Sequence, residues 1–166
     1  MSEANKALVR ILTDEIWNAR RIERIPELYA PDYVADYRPI APLQTGHDGI
    51  RGMVERAWQT FPDYHEELHE LVAEGDLVTA WITISGTQDG PWGIIPPTGR
   101  RVVFDEVLLL RIAGGRVVWQ RGIPDNVAED LQARQPGLTL SPPTLGLYTA
   151  VIAGVVILVV SGGMFM

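Results

Sequence analysis

The stretch that decides the fold is LVTAWITISGT, Leu77 to Thr87, read with RVVFDEVLLLRI, Arg101 to Ile112, and RVVWQRGI, Arg116 to Ile123. All three are rich in β-branched and aromatic residues, which fit a pleated, half-buried surface. Ala113-Gly114-Gly115 separates the last two and reads as a hairpin turn. Upstream, Tyr64 to Ala73 reads as another strand, joined to Leu77 by the tight turn Glu74-Gly75-Asp76. Gln88 to Gly99 is rich in Gly and Pro and reads as a loop. The spacing predicts an antiparallel meander.

The chain before the meander reads as helices. Leu8, Ile11, Leu12 and Ile16 recur at helical spacing and mark one apolar face. Pro26-Glu27-Leu28-Tyr29 suggests a second, short helix with Pro in its first turn. Pro31-Asp32 punctuates, Tyr33 to Tyr37 reads as a short strand, and Arg38 to Gly46 as a loop. Asp48 is placed to cap a third helix, Gly49 to Phe61, with Ile50, Met53, Val54, Ala57, Trp58 and Phe61 as its buried stripe. Pro62-Asp63 ends it. A short helix is expected from Asn126 to Arg134. Helices followed by a run of strands predict an α+β fold with the N-terminal helices over the concave face of a curved antiparallel sheet.

The 166 residues carry a net charge of −7 and no cysteine. An acidic chain is repelled by phosphate backbones, so no nucleic-acid partner is expected. Disulfides, thiolate metal sites and cysteine nucleophiles are excluded. His65 and His69 would share a face of a helix, but on a strand they stand about 13 Å apart, so no metal is expected. No phosphate-binding Gly loop, dinucleotide fingerprint or serine-nucleophile elbow is present, and no cofactor is expected.

Charge is unevenly distributed. Arg134 is the last charged residue, and Thr144 to Met166 is uncharged and mostly apolar. Roughly 20 apolar residues cross a bilayer core, so 144–166 is expected to be a transmembrane tail; a strand added to a sheet is the competing reading. The organisation expected is a globule over 1–135, a linker over 136–143 and the tail over 144–166. The N-terminus lacks the basic and apolar regions of a secretory signal, which predicts a membrane-anchored protein with a cytoplasmic globule.

Several blocks resemble one family. Glu15-Ile16-Trp17-Asn18, Leu28-Tyr29-Ala30-Pro31-Asp32-Tyr33-Val34, Asp48-Gly49-Ile50-Arg51, Phe61-Pro62-Asp63 and Ala73-Glu74-Gly75-Asp76 are similar to SnoaL-like polyketide cyclases, within the nuclear transport factor 2–like superfamily. The most specific block is Gly93-Ile94-Ile95-Pro96-Pro97-Thr98-Gly99-Arg100-Arg101-Val102, and Gly115-Arg116-Val117-Val118 also fits. The resemblance covers about residues 5 to 133. It implies a cone-shaped domain, cofactor-free acid–base chemistry on a polyketide and often a sheet-to-sheet dimer. It also implies an acid–base pair at the positions of Leu108 and Gly122, neither of which moves a proton, while a further family His or Asp aligns with Asp36.

Strand alternation then assigns the faces. If Leu108 and Gly122 face inward, so do Glu106 and Gln120, with Val78, Ala80, Ile82 and Ile84 beside them. Trp81, Thr83, Asp105, Trp119 and Arg121 fall on the outer face, a candidate homodimer surface. Glu106 is the leading catalytic candidate, because an apolar interior favours a carboxyl's neutral form and tunes it for proton transfer. Asp36 is the second. Gln120, Tyr33, Trp58, Trp92 and Leu108 are the expected substrate-binding residues. Glu66 joins them unless a local bulge turns it outward. The expected activity is a cyclase or isomerase acting on a hydrophobic, carbonyl-bearing metabolite. The alternatives are a membrane-anchored binding module without catalysis, or an interaction scaffold.

Overall fold

The computed structural model describes residues 2–38, 41–93 and 95–125. The expected helix at Asn126–Arg134, the linker at 136–143 and the tail at 144–166 lie outside the described residues. Among those described, no helix is long and apolar enough to cross a membrane.

Helix α1 spans Ser2–Ile11 and runs straight into a π-helical segment, Leu12–Asn18. A single 3.6-residue period over both would bury Ile11. Instead Ile11 is exposed, and Val9, Leu12, Thr13 and Ile16 are buried. The wider i→i+5 turn rotates the buried face, which a uniform α-period does not anticipate. A 3₁₀ turn at Ile22–Arg24 leads into α2, Ile25–Leu28, with Pro26 in its first turn as expected. The third helix, α3, spans Gly46–Thr60. It begins three residues before the expected start, so Asp48 lies in the first turn and Thr45 stands at the cap position. Ile50 and Val54 of its expected stripe are buried, and Met53 and Trp58 pack against the same core.

The strands are β1 (Tyr29–Ala35), β2 (Gln44–Thr45), β3 (His65–Glu74), β4 (Leu77–Thr87), β5 (Arg101–Ala113) and β6 (Arg116–Pro124). They form one sheet in the order β2-β1-β6-β5-β4-β3. The meander is as expected: β3 to β6 pair antiparallel in sequence, and β4 stays in register with β5 from Leu77↔Arg111 to Thr87↔Arg101. Gly114 and Gly115 both take positive φ (57° and 73°), the conformation a tight two-residue hairpin turn requires.

The sheet as a whole corrects the antiparallel expectation, because β1 pairs parallel to β6. The first strand docks on the last, a long-range pairing that local pattern does not encode, and the sheet is mixed. The first strand is also longer than expected. Pro31-Asp32 does not precede it but lies inside it, exposed, where the register with β6 shifts between Tyr29 and Val34. Proline tolerates such an irregular position because no ladder hydrogen bond is asked of it there.

The helices cover one face of this curved sheet. α1 and the π-helical segment pack on β3, and α3 packs on β1. Between them lies a core that includes Ile16, Ile25, Tyr29, Tyr33, Ile50, Val54, Val78, Ala80, Ile82 and Leu110. A smaller cluster of Phe61, Ile95 and Val102, with Trp92 and Phe104 against it, sits under the Gln88–Gly99 loop. Gln88, fully buried, organises that loop: its Nε2 donates to the Gly90 and Pro96 carbonyls (3.2 and 3.1 Å), and its Oε1 accepts from Thr98 Oγ1 (2.7 Å). The Gly90 N–H in turn donates to the Thr60 carbonyl at the end of α3.

That contact leaves no room for a side chain. A Cβ at Gly90 would stand 2.1 Å from the Gln59 carbonyl oxygen. Gly90→Ala is therefore expected to cost about 1–3 kcal/mol of stability, read as a lower urea midpoint. An unchanged midpoint would show that the loop does not depend on this approach.

Candidate active site

The inner face of the sheet is apolar except for a few side chains, and these converge. On β5, Phe104, Glu106, Leu108 and Leu110 alternate inward, with Glu106 opposite Ile82 of β4. On β6, Gln120 and Gly122 face the same way, Gly122 opposite Leu108. From β1 come Tyr29 and Tyr33, and Tyr37 follows just beyond it. From the other side β3 contributes Glu66, opposite Ile84. Glu66, Glu106 and Gln120 are 4%, 7% and 2% exposed, so water is largely excluded from all three.

Gly122 has a direct bearing on Glu106. A Cβ there would lie 1.8 Å from Glu106 Oε1 and 2.2 Å from a ring carbon of Tyr37. The Glu106 carboxyl and the Tyr37 ring thus occupy the volume that a side chain at position 122 would take. Gln120 ties the neighbouring tyrosines together: Tyr33 Oη donates to its Oε1 (3.1 Å), and its Nε2 donates to Tyr37 Oη (2.9 Å). With both ends of its amide engaged, Gln120 holds the tyrosines in place.

Burial pushes the Glu106 carboxyl up from 4.5 to about 7, and hydrogen bonding with Tyr37 opposes part of that rise. Burial likewise pushes Glu66 up to about 8; the Tyr64 hydroxyl pulls it back, the Glu106 charge adds to the rise, and Thr13 opposes it slightly. The physical balance is clear from magnitudes. Removing a carboxylate from water costs several kcal/mol, and one hydrogen bond to a charged group returns about 1.5–3 kcal/mol. No Lys, Arg or His is buried among the described residues to make up the difference. The phenols of Tyr33, Tyr37 and Tyr64 are raised well above 10 by the same burial, so they serve as neutral donors.

Each carboxyl also keeps an oxygen free. Glu106 Oε1 and Glu66 Oε2 are buried without a hydrogen-bond partner. Such orphaned atoms are uncommon in native interiors and mark a group available to a ligand.

Of the other expected residues, Leu108 and Glu66 face inward as expected, and Asp36 is engaged elsewhere. Asp36 forms a bidentate pair with Arg38, whose Nε and Nη2 each reach a carboxylate oxygen at 2.9 Å. Those hydrogen bonds hold Asp36 down at about 2, ionised and unsuited to act as an acid near neutral pH. Trp92 packs edge-on against Phe61 in the smaller cluster, with Phe104 on its other side. Trp58 donates its indole N–H to the Trp17 carbonyl (3.2 Å), with the Arg20 guanidinium 5.1 Å over its ring. Leu108 is a buried core residue. The only register irregularity of β3 against β4 falls between Leu68 and Glu70, beyond Glu66, so Glu66 stays inside. His65 and His69 are exposed on β3, and His69 Nε2 meets Thr83 Oγ1 on the outer face (2.6 Å).

Four contributors were not singled out from sequence: Tyr37, Tyr64, Thr13 and Asn18. Tyr37 was within reach of the pattern, since Tyr33, Ala35 and Tyr37 follow period two. Thr13 and Asn18 reach the site through the π-helical segment, which a helical period of 3.6 turns elsewhere.

Helices on a mixed sheet around a titratable interior define an α+β domain of the nuclear transport factor 2–like kind. The SnoaL-like polyketide cyclase family model matches residues 7–133, and the chain belongs to that family. Solved structures agree on the fold. A protein designated a SnoaL-like polyketide cyclase from Jannaschia sp. CCS1 is 24% identical, with a TM-score of 0.71 over 85% of this chain and 95% of that one. IdmH from Streptomyces antibioticus, designated a polyketide cyclase, is 28% identical, with a TM-score of 0.65 over 78% and 97%. AclR from Streptomyces galilaeus, designated a hydroxylase, is 24% identical, with a TM-score of 0.69 over 93% and 96%. The comparison with curated proteins finds no match. Membership supports a cyclase or isomerase kind of function, and fold by itself does not fix the reaction.

The raised carboxyl has a consequence for stability. The folded protein holds the Glu106 proton more tightly than the unfolded chain, whose group titrates near 4.5. Its contribution is therefore fully present below that value and is lost as pH rises toward about 7. Glu106→Gln removes this loss. The variant is expected to be more stable than the parent by up to about 3 kcal/mol near pH 8. The gain should shrink toward about pH 4, below the unfolded value of the group. Thermal unfolding across pH checks this, and a pH-independent difference would mean that Glu106 titrates normally.

Proposed function

We propose that the chain is a cofactor-independent cyclase or isomerase that acts by acid–base chemistry on a hydrophobic, carbonyl-bearing, polyketide-like metabolite. The observation that carries this reading is the Glu106 carboxyl, buried in the space vacated at Gly122, with one oxygen free. As a carboxylate it would take the acidic proton next to a substrate carbonyl, leaving an enolate that either adds to a second carbonyl within the molecule or is reprotonated elsewhere. A general base with a pKa near the working pH is the most effective. The Tyr37–Gln120–Tyr33 chain supports an orienting role around that carboxyl. The lack of a buried cation among the described residues favours an uncharged ligand over a carboxylate-bearing one.

α-Proton exchange tests the reading without the natural substrate. The wild type in heavy water is expected to accelerate deuteration of β-tetralone and of hydrophobic β-diketones, followed by proton NMR. Glu106→Gln is expected to lose at least about 100-fold of that rate while remaining folded. If the wild type binds these ketones without exchanging them, the domain is a binding module. If it neither binds nor exchanges them, the interaction-scaffold reading remains.

The tail is a second part of the proposal: 144–166 anchors the protein to a membrane, with the globule in the cytoplasm. Its support is the uncharged, largely apolar run from Thr144 to Met166. The full chain is expected in the membrane fraction and to need detergent for release, whereas a chain ending at residue 135 stays in the supernatant. A full chain that remains in the supernatant overturns the anchor. The homodimer expected from the sequence finds support in Trp81, Val107 and Ile123, an exposed apolar row across β4, β5 and β6.

A further inference from the structure

We propose that Glu66 is the second catalytic group of this site, an acid that protonates the substrate's carbonyl oxygen while Glu106 removes the carbon-bound proton. The inference rests on the acid–base reading of Glu106 and adds the partner that the sequence did not supply.

Position comes first. Glu66 lies opposite Ile84 and Glu106 opposite Ile82, so both flank one inward-facing stretch of β4. Their backbones stand two strand spacings apart, about 10 Å, and two residues apart along β4, about 7 Å. Both side chains are long and directed into the same interior. The Glu106 charge reaches Glu66, so the two carboxyls lie near one another; in this proposal the ligand's C–H bond meets Glu106 and its carbonyl oxygen meets Glu66.

Glu66 is also held for this task. β3 is an edge strand of the sheet, and Asn18 covers it. Asn18 Nδ2 donates to the Glu66 carbonyl (2.9 Å), and the Glu66 N–H donates to Asn18 Oδ1 (2.8 Å). Tyr64 Oη donates to Glu66 Oε1 (2.7 Å), which fixes one oxygen and leaves the buried Oε2 unpartnered. A structural role alone accounts poorly for this arrangement, since a half-satisfied buried carboxyl destabilises relative to an apolar side chain of similar size. The titratable and polar groups around it are Thr13, Asn18, Tyr64, Tyr29, Tyr37 and Glu106, none of them cationic. Burial, with the Glu106 charge beside it, therefore raises Glu66 and favours its protonated form.

The step balances without an oxidant or reductant. The C–H bond breaks and its proton passes to the Glu106 carboxylate. The electron pair becomes the C=C bond of an enol, and the carbonyl oxygen takes the proton of Glu66. In cyclisation the enol carbon then bonds to a second carbonyl carbon. The oxygen of that carbonyl takes the proton from Glu106, and the enol O–H returns its proton to Glu66. In isomerisation Glu106 hands its proton to a different carbon instead. Both groups end as they began.

The test combines β-tetralone exchange with infrared spectroscopy on the full chain. Glu66→Gln is expected to bind β-tetralone as the wild type does, measured by tryptophan fluorescence, yet to exchange it about 100-fold more slowly. The alkaline limb of its pH–rate profile should disappear. The infrared absorption of protonated carboxyls, to which Glu66 and the half-titrated Glu106 both contribute in the wild type near pH 7, should lose the Glu66 share of its intensity in the same variant. Tyr64→Phe provides a second variant should Glu66→Gln fold poorly. Removing that hydroxyl should move the alkaline limb to higher pH. Wild-type exchange with an unchanged profile in Glu66→Gln, an unmoved limb in Tyr64→Phe, or an undiminished carboxyl absorption near pH 7 overturns the role of Glu66 and leaves Glu106 as the base. A wild type that exchanges nothing overturns the acid–base reading itself, and this proposal with it.

Discussion

Glycine at position 122 leaves a gap on the inner face of β6, and the Glu106 carboxyl from β5 and the Tyr37 ring fill it together. Much of the interior chemistry follows from this substitution of space. The carboxyl sits far enough from water to keep a proton near neutrality, Tyr37 lies against it, and Gln120 binds Tyr37 to Tyr33. Family resemblance places a working pair at Leu108 and Gly122, positions that are inert here. The structure brings a carboxyl into the neighbourhood of position 122 from the adjacent strand.

Two buried carboxyls, with no cation buried among the described residues, make this interior costly to form. Proteins usually pair or neutralise such groups, and here burial does the neutralising. Tyr33, Tyr37 and Tyr64 are neutral donors, so the site stabilises uncharged acids and developing oxyanions better than fixed negative charge. The polarity of the interior is thus selective: hydroxyls and carboxyls on apolar walls, with cations kept to the surface. Arg38 and Arg111, both exposed, pair with Asp36 and Asp76.

The architecture supplies the rigidity that such a site needs. β4 stands between β3 and β5 in unbroken register with β5, so the spacing of the two glutamates is set by backbone ladders. The π-helical segment turns Thr13, Trp17 and Asn18 toward β3, where Asn18 covers backbone groups of the edge strand. Such segments are frequent at functional sites because they re-aim side chains that a regular helix would direct elsewhere.

Much of this was legible in the chain. Period-two alternation placed Glu106, Gln120 and Gly122 on one face, and β-branched runs bounded by glycine turns marked the meander. Those signals are local, written within a few residues, and hydrophobic patterning alone decides them. Asp36 misled because its neighbour Arg38 claims it, and Glu66 was left open because a bulge cannot be located from composition. The sequence by itself determined the four strands of the meander, their faces and the absence of thiol chemistry. Only the tertiary structure decided the parallel docking of β1 on β6, the π-turn that brings Asn18 to Glu66, and the filling of the Gly122 gap by Glu106. Each of these joins residues far apart in the chain, where packing and burial, rather than local propensity, set the outcome.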